Sequence, residues 1–346
     1  MNNEDLLKPL VSIIIVNWNG RVHLPDCLDS ITAQSFRDFE VILVDNGSKD
    51  GSAEFVRARY PWVKIISLKE NKGFASGNNR GFELAHGDYI VTLNNDTWAD
   101  PDWLETLVRV TETHPQAGMV GSRICSFYNQ DVIDSIGMGI CRDGMSRGMF
   151  RNRRWSELHL QDIEDIFFPS ACVALYRRTM LEETGFFDDD FFAYAEDSDL
   201  GLRGRLAGWE AVAATQAVVY HKYSQTAGRL SPFKVYLVER NHYWVVWKNF
   251  PLSRIITLPF NSALRYYEQM RYVLTGNGTG GEFQDSDVKG ELIRATLKGI
   301  IDGLGGIVRM LRRRRQTMKN RQLSMKQYSI LLNRYQINFG ELLDHD

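Results

Sequence analysis

The chain has 346 residues, of which 44% are hydrophobic and 12% aromatic, enough for one large core with a smaller appendage. Its formal net charge of −2 argues against a protein built to hold nucleic acid, and the sequence has no run of 18 apolar residues for a membrane-spanning helix. Four widely spaced cysteines and the lack of a secretory leader are typical of a cytoplasmic protein without a disulfide framework or a structural zinc site.

Four short apolar segments alternate with helical patterns in the first hundred residues. Their continuous, β-branched character is typical of strands covered on both faces, and helices between such strands form right-handed crossovers. One of these helices is predicted to begin near Gly77. The chain is therefore predicted to form an α/β fold, with a Rossmann-like, mainly parallel central sheet flanked by helices. The predicted strands are residues 11–16, 40–45, 63–68 and 89–93.

The rest of the sequence is less regular. Strands are predicted around residues 118–124 and 171–176, followed by a helix from about Asp197 to Ala207. After Gly228 the pattern changes to long helices interrupted by proline. We expect two parts: residues 1–228, with halves of about 1–117 and 118–228, and a mostly helical C-terminal region over 229–346.

Polar residues follow the predicted strands at the point where each strand ends. Asn17, Asp45, Asn71 and the segment 94–96 (Asn-Asn-Asp) should therefore meet at one edge of the sheet, where ligands of such folds bind. The loop after the first strand reads NWNG rather than GxGxxG, which argues against a dinucleotide cradle. Asp45 could accept hydrogen bonds from a base or a ribose, although an aspartate at a strand end is often only a turn former.

The segment ENKGFASGNNRG, residues 70–81, places three glycines and three amides around a helix start. A glycine such as Gly73 allows the backbone to approach a ligand closely, and the first amides of a helix favour phosphate. Glycine-rich loops are common, so the position just before the fourth strand is what favours a binding role.

Two further positions carry groups that suit a divalent metal ion. In LNNDT (93–97), Asp96 offers a carboxylate and Asn94 only a neutral carbonyl oxygen, so Mg²⁺ would bind weakly until a phosphorylated ligand completed the site. His221 follows the apolar run AVVY, and imidazole together with a carboxylate suits Mn²⁺ or Mg²⁺. A purely structural histidine is the alternative.

The segment YAEDSDL places three carboxylates, Glu196, Asp197 and Asp199, ahead of a predicted helix. They could cap the helix and offset its dipole. Alternatively, one of them could be the base that removes a proton from an acceptor hydroxyl.

Taken in order, these motifs resemble family 2 glycosyltransferases of the GT-A fold, especially the bacterial rhamnosyltransferase-like members. The resemblance covers roughly residues 9–225, so that the glycosyltransferase domain would be residues 1–228. The segments that carry it are VSIIIVNWNG, CLDSITAQ, EVILVDNGSKDGS, NKGFASGNN, GDYIVTLNNDT, PDWLETLV and FFAYAEDSDLGLR.

The resemblance implies a nucleotide-sugar donor in the first half of the sheet. Asp45 would contact the base or ribose, and Asn71 and Asn78 would lie near the diphosphate. The sequence NND takes the place of the family's DxD motif, so Asp96 would bind the metal while Asn94 replaces an acidic ligand. The other residues assigned to the donor are Asn17, Gly73 and Asn95.

The second half would then supply the catalyst. Asp197, in the family's ED motif, would act as the base, and His221 matches a further metal ligand. The implied reaction inverts the anomeric carbon and moves a sugar, from dTDP-rhamnose or a UDP-sugar, to a hydroxyl of a glycan or a lipid-linked glycan.

Two other functions are alternatives to a glycosyltransferase. A sugar nucleotidyltransferase would need a better activation loop than NWNGR, and a non-catalytic nucleotide-sugar binder or assembly scaffold would need no base.

Residues 289–334 carry 12 basic and two acidic residues, a local charge of +10. The amphipathic segment 291–316 could therefore contact an anionic membrane, or it could pack on the core with a solvated basic end.

Overall fold

The computed structural model describes residues 8–222, 231–275 and 286–343. The strands are β1 (Val11–Asn17), β2 (Phe39–Asp45), β3 (Lys64–Ser67), β4 (Tyr89–Leu93), β5 (Thr97–Ala99), β6 (Ala117–Ser126), β7 (Ile133–Ser135), β8 (Met138–Ile140), β9 (Ser146–Gly148), β10 (Ile163–Asp165), β11 (Val173–Arg177) and β12 (Glu210–His221). The helices are α1 (Leu24–Thr32), α2 (Ser52–Arg59), α3 (Gly73–Leu84), α4 (Trp103–Thr113), α5 (Arg178–Thr184), α6 (Glu196–Leu206), α7 (Pro232–Asn249), α8 (Leu252–Thr275), α9 (Ser286–Gly305), α10 (Ile307–Lys319), α11 (Met325–Arg334) and α12 (Phe339–Leu343).

Within the described residues, ten of the strands form one sheet. Its main path runs β10-β12-β6-β11-β4-β1-β2-β3, while β5 joins β12 and β7 joins β6. Strand β1 is parallel to β2 and β4, and β6 is parallel to β12, whereas β11 runs antiparallel between β4 and β6. The predicted α/β class with a mainly parallel central sheet is confirmed.

Both faces of the sheet are covered, which explains why its strands are apolar without alternation. Along β1, Ile13 and Ile15 pack in one apolar cluster with α1 and α4, while Ile14 packs in the other with α3 and α6. Helix α3 lies very close to β1. A Cβ added to Gly81 would stand 2.4 Å from Cγ2 of Ile14. The helix begins at Gly73, one turn earlier than predicted.

The C-terminal helices pack against the sheet domain rather than standing apart. Helix α7 contacts α6, α9 and α10. A fully buried arginine on α8, Arg265, donates from Nη2 to Oε1 of Glu239 on α7 at 2.8 Å and from Nε to Oδ2 of Asp143 at 2.5 Å. The predicted boundary at residue 228 stays a prediction, because residues 223–230 lie outside the described part of the chain.

None of the helices in the described ranges combines the length and the apolarity needed to cross a bilayer.

We expect Arg265→Met to destabilise the fold by about 3–5 kcal/mol, because it leaves two buried carboxylates without their cation. Arg271→Met is the matched control on the same helix. Its ion pair with Glu268 is exposed, so the change should cost less than about 1 kcal/mol. Urea unfolding of both variants provides the measurement. Equal costs would show that the buried network does not tie α8 to the domain.

Candidate functional site

Three of the predicted donor residues form one buried hydrogen-bonded group at the carboxyl ends of β1, β2 and β4. The parallel register places Asn17 opposite Asp45. Nδ2 of Asn17 donates to Oδ1 of Asp45 at 3.4 Å and to Oγ of Ser48 at 3.2 Å, and its Oδ1 accepts from Nδ2 of Asn95 at 2.7 Å. The structure therefore brings these residues together as the strand pattern predicted.

The start of α3 is tied to the end of β2 by a residue that the sequence analysis missed, Asn46. Its Nδ2 donates to Oδ1 of Asn71 and to the carbonyl of Gly73, both at 3.0 Å, and its Oδ1 accepts from the backbone N–H of Lys72 at 2.9 Å. Gly73 has a φ of +87°, a value that glycine adopts without steric cost. The signal that could have found Asn46 is its position directly after Asp45, at the same sheet edge.

Asn78 lies elsewhere in α3. Its side chain is fully buried, and its Nδ2 donates to the carbonyl of Phe74 at 2.9 Å. Its Oδ1 has no hydrogen-bond partner in the described part of the chain. Its predicted place beside the diphosphate stays a prediction.

Strand β5 pairs with β12 and brings Asp96 against His221. Nε2 of His221 lies 3.3 Å from Oδ1 of Asp96, and its Nδ1 lies 2.9 Å from Oδ2 of Asp134 on β7. Asp134 in turn pairs with Arg151 at 3.3 Å. The ring is buried, with 7% of His221 exposed. Asp134 is a second residue that the sequence analysis missed, because a three-residue strand carries no motif.

The charges of His221 and its two neighbouring carboxylates stabilise one another. Burial by itself lowers the pKa of His221, but the neighbouring Cys172 and the hydrogen bonds to Asp134 and Asp96 raise that pKa well above its ordinary value. Burial raises the pKa of Asp96, but the hydrogen bond and the charge of His221, together with the charge of His23, outweigh burial, so that the pKa of Asp96 is lowered. The imidazole therefore carries the positive charge that the two carboxylates need.

The donor set of this cluster fits a divalent cation only in part. The described residues contain no group of three or more histidine, cysteine, aspartate or glutamate side chains placed to hold a metal ion. Asp96 and His221 offer one carboxylate and one imidazole, while Asp134 already holds the other ring nitrogen. Such a pair fits a cation whose remaining ligands are phosphate oxygens, with the Asp134 carboxylate orienting the ring.

Asp197 is the second residue of α6 and is partly exposed. Its Oδ1 accepts from the backbone N–H of Ser198 at 2.7 Å, and its Oδ2 from that of Ala171 at 3.4 Å. Burial of the carboxyl raises the pKa of Asp197, and these hydrogen bonds offset only part of the effect. A carboxylate with a raised pKa that an acceptor can reach is suited to general base catalysis.

The two neighbouring acids differ from Asp197. Burial, reinforced by Asp197, raises the pKa of Glu196 well above its ordinary value, and Oε2 of Glu196 has no partner among the described residues. Asp199 is buried too, yet Arg203 and Lys248 lower its pKa to about 2. Asp199 therefore belongs to a structural ion-pair network, which leaves Asp197 as the ionisable group open to a ligand.

One short segment, residues 171–172, joins the two halves of the candidate site. The N–H of Ala171 donates to Asp197, and the carbonyl of Cys172 accepts from the backbone N–H of Asn94 at 2.8 Å. The Cys172 thiol is also hydrogen bonded to His221. Residues 171–172 therefore contact both Asp197 and the segment that leads to Asp96.

Comparison with known proteins decides the family. The model of the family named "Glycosyl transferase family 2" matches residues 12–185, half of the chain. The chain is a family 2 glycosyltransferase. The predicted resemblance is thereby confirmed, and so is the prediction that the protein is a glycosyltransferase enzyme.

Two relatives illustrate the range of this family. The glycosyltransferase is 29% identical over 243 residues to N-acetylglucosaminyl-diphospho-decaprenol L-rhamnosyltransferase of Mycobacterium tuberculosis, a match that covers 64% of this chain and 79% of the relative. It is 31% identical over 146 residues to glycosyltransferase AglE of Haloferax volcanii, which covers 37% of this chain and 48% of that protein.

Solved structures support the fold. S. aureus TarS 1–349 superposes with a TM-score of 0.54 at 16% identity, covering 94% of this glycosyltransferase and 90% of TarS 1–349. GalNAc-T7 with UDP, GalNAc and Mn²⁺ superposes with a TM-score of 0.57 at 16% identity, covering 71% of this chain and 49% of that one.

Proposed function

We propose that this glycosyltransferase moves a sugar from a nucleoside-diphosphate sugar to a hydroxyl of a glycan or lipid-linked glycan, with inversion at the anomeric carbon. The observation that carries the proposal is that residues 171–172 contact both Asp197 and the segment that leads to the pair Asp96–His221. One short segment thus connects a candidate binding group for a diphosphate with a candidate base for a hydroxyl.

The candidate substrates come from the relatives. The name of the mycobacterial relative describes an L-rhamnosyltransferase that acts on a diphospho-decaprenol, which favours dTDP-rhamnose and a lipid-linked acceptor here. Both TarS 1–349 and GalNAc-T7 have been solved with UDP, so UDP-sugars form the second group of candidate donors.

The donor would lie along the carboxyl edge of the sheet. Asp45, held by Asn17 and close to Asn95, would accept from the base or ribose. Gly73 and Asn71 would lie near the diphosphate at the start of α3, where the helix dipole favours negative charge. The N–H groups of Lys72, Gly73 and Ala75 are bonded within the protein, so the dipole would act without direct contacts from them. Asn78, buried in the same helix, would support this arrangement.

Asp96 and His221, once Nε2 of His221 has lost the proton that faces Asp96, would hold a divalent metal ion, Mn²⁺ or Mg²⁺. Such an ion offsets the charge that develops on the leaving nucleoside diphosphate. Asp134 would keep the ring nitrogen of His221 turned towards Asp96.

Asp197 would accept the proton of the acceptor hydroxyl as its oxygen attacks the anomeric carbon. The attack comes from the face opposite the leaving diphosphate, so a single displacement inverts the configuration. A non-catalytic scaffold would have no use for this base, and a sugar nucleotidyltransferase would need a glycine-rich activation loop with Lys or Arg after β1, of which NWNGR is a poor version.

Replacing the base should abolish transfer and spare donor binding. We expect Asp197→Asn to lower kcat at least about 100-fold, because general base catalysis contributes about 10²–10⁴. Asp189→Asn, at an exposed acid of the same segment, is the control. In the wild type, the raised pKa of Asp197 means that kcat falls as the pH drops through a value above the ordinary range of aspartate. Transfer by Asp197→Asn at the wild-type rate would contradict the assignment.

Asp96 should govern metal-dependent donor binding. The wild type would be titrated by calorimetry with dTDP-rhamnose, UDP-glucose, UDP-galactose, UDP-N-acetylglucosamine and GDP-mannose, each with Mn²⁺, Mg²⁺ or EDTA. We expect one donor to bind with metal and Asp96→Ala to weaken it at least about tenfold, since loss of the carboxylate leaves the cation one protein ligand. The control Asp102→Ala, on an exposed side chain, should bind normally. A wild type that binds none of these donors would favour the scaffold.

We further propose that the C-terminal helices contact an anionic membrane, on the cytoplasmic face of the plasma membrane. Their exposed apolar residues recur every three or four positions and form one stripe along α9 and α10. The stripe leads directly into the exposed Arg312 and Arg315. Basic charge beside an apolar stripe is complementary to anionic lipid. The stripe consists of Ile293, Leu297, Ile301, Leu304, Val308 and Leu311.

Vesicle sedimentation tests this contact. The wild type should bind phosphatidylglycerol vesicles and should not bind phosphatidylcholine vesicles, because the electrostatic attraction of the arginines needs an anionic surface. Replacing both Leu297 and Ile301 by Ser should weaken binding at least about tenfold, since two apolar side chains no longer enter the interface. Ile330→Ser, on the exposed face of α11, is the matched control. Equal binding by both variants, or a dimer that depends on the stripe, would contradict the membrane contact.

A further inference from the structure

The segment that leads into the ED motif has an unusual backbone. Phe192, Tyr194 and Ala195 have φ values of +66°, +69° and +64°, although none of them is glycine. A side chain with a Cβ makes this left-handed conformation costly, so it persists only where the surroundings impose it. Glu196 and Asp197 follow immediately. The position of the candidate base therefore depends on whatever holds residues 191–195.

A single side chain from the C-terminal region holds most of this segment. Asn241 on α7 is fully buried. Its Nδ2 lies 3.0 Å from the carbonyl of Phe191, 2.9 Å from that of Ala193 and 2.7 Å from that of Tyr194. Since an amide nitrogen has two hydrogens, two of these three acceptors share one of them. Without this amide, the carbonyls of Ala193 and Tyr194 would lose this donor.

The neighbouring residue sets the direction of that amide. Nε of Arg240 donates to Oδ1 of Asn241 at 2.9 Å, which turns the Nδ2 end towards the segment. Nη2 of Arg240 donates to the carbonyls of Asp190 at 3.2 Å and Phe191 at 2.9 Å. Its guanidinium also lies 4.1 Å from the ring centroid of Trp244. Arg240 and Asn241 together thus supply the donors for one strained stretch of backbone.

The other side of the same segment contacts the start of α3, where the proposed function places the nucleotide-sugar. The carbonyl of Phe192 accepts from the N–H of Ala75 at 3.0 Å, in the first turn of α3. A Cβ added to Gly73 would stand 2.4 Å from this carbonyl oxygen. The segment therefore joins the start of α3 to the start of α6, the two helix ends that the proposed function assigns to the diphosphate and to the base.

We propose that Asn241, oriented by Arg240, is a positioning residue for catalysis, which holds residues 191–195 so that the base at position 197 stays aligned with the donor. The inference rests on the proposed function. It reaches beyond the part of the chain that matches the family model, which ends at residue 185. Both residues act through backbone carbonyls and need not touch a substrate.

Asn241→Ala in the full-length enzyme tests the role. We expect kcat to fall at least about 30-fold, since a displacement of about 1 Å in a catalytic group can cost about 100-fold. The dissociation constant of the nucleoside diphosphate should change less than about fivefold. A residue that serves stability alone would lower the melting temperature without this split between kcat and binding.

A matched control exists on the same helix. Asn249 is equally buried, and its Nδ2 donates to Oδ1 of Asp199 at 2.9 Å instead of to the strained segment. Asn249→Ala should also lower the melting temperature but keep kcat within about threefold of the wild type. Equal losses of kcat in the two variants would overturn the proposal, and so would a kcat of Asn241→Ala within about threefold of the wild type.

A rescue experiment separates backbone strain from general damage. Glycine adopts the φ of +64° found at position 195 without a Cβ penalty. Adding Ala195→Gly to Asn241→Ala should therefore recover at least about fivefold in kcat, and the same change should not improve Asn249→Ala. Recovery in both backgrounds, or in neither, would contradict the role of Asn241 in holding this conformation.

If Asn241→Ala does not fold, Arg240→Ala carries the test, because Arg240 is only half-buried. It should lower kcat at least about threefold with little change in nucleotide binding, and no change in kcat would overturn the proposal. Asp197→Asn, measured alongside, separates the two possible failures. If it keeps transfer, the proposed base is wrong. If it abolishes transfer while the Asn241 and Arg240 variants stay active, only the positioning role is wrong.

Discussion

The site depends on one buried imidazole between two carboxylates. His221, at the end of β12, bridges Asp96 from the first half of the sheet and Asp134 from the second. The carboxylate of Asp96 would be costly at this depth without a positive partner. The imidazole supplies that charge when it is protonated, and it can serve as a metal ligand when it is neutral. The pairing of β5 with β12 is what brings these groups into contact. The geometry of the sheet therefore places both carboxylates around one imidazole ring.

Different interactions hold the candidate base in place. Within the described ranges, Asp197 forms no ion pair with a cation. Its environment is set by burial, by two backbone N–H groups and by the strained segment that precedes it. The donors that stabilise this segment come from α7, in the C-terminal region. The helices after the sheet domain thus form part of the frame of the site as well as a surface that could face a membrane. Their packing on α6 gives a physical reason why the two parts of the chain belong together.

Much of the fold could be predicted because its signals are local. The apolar, β-branched runs identified β1 to β4, and the wider pattern identified β6, β11 and α6 to within a few residues. Helix α3 was placed a turn too late, because its first residues are glycine, phenylalanine and small polar residues with no helical periodicity. Its early start depends on Asn46, whose side chain bonds to the backbone of residues 72–73 from another element. Such a contact leaves no pattern in the sequence.

The sequence by itself determined the family, the α/β class and the residues that follow each strand, since these are properties of short segments read in order. Tertiary structure alone decided what those residues do to one another. Asp134 carries no motif, and the partners of Asp134 and Asn241 lie 87 and 47–50 positions away in the sequence. Asp197 and Asp199 are two positions apart, yet only Asp199 meets Arg203 and Lys248. Burial and the approach of distant charges set the protonation of each group, and these exist only once the chain has folded.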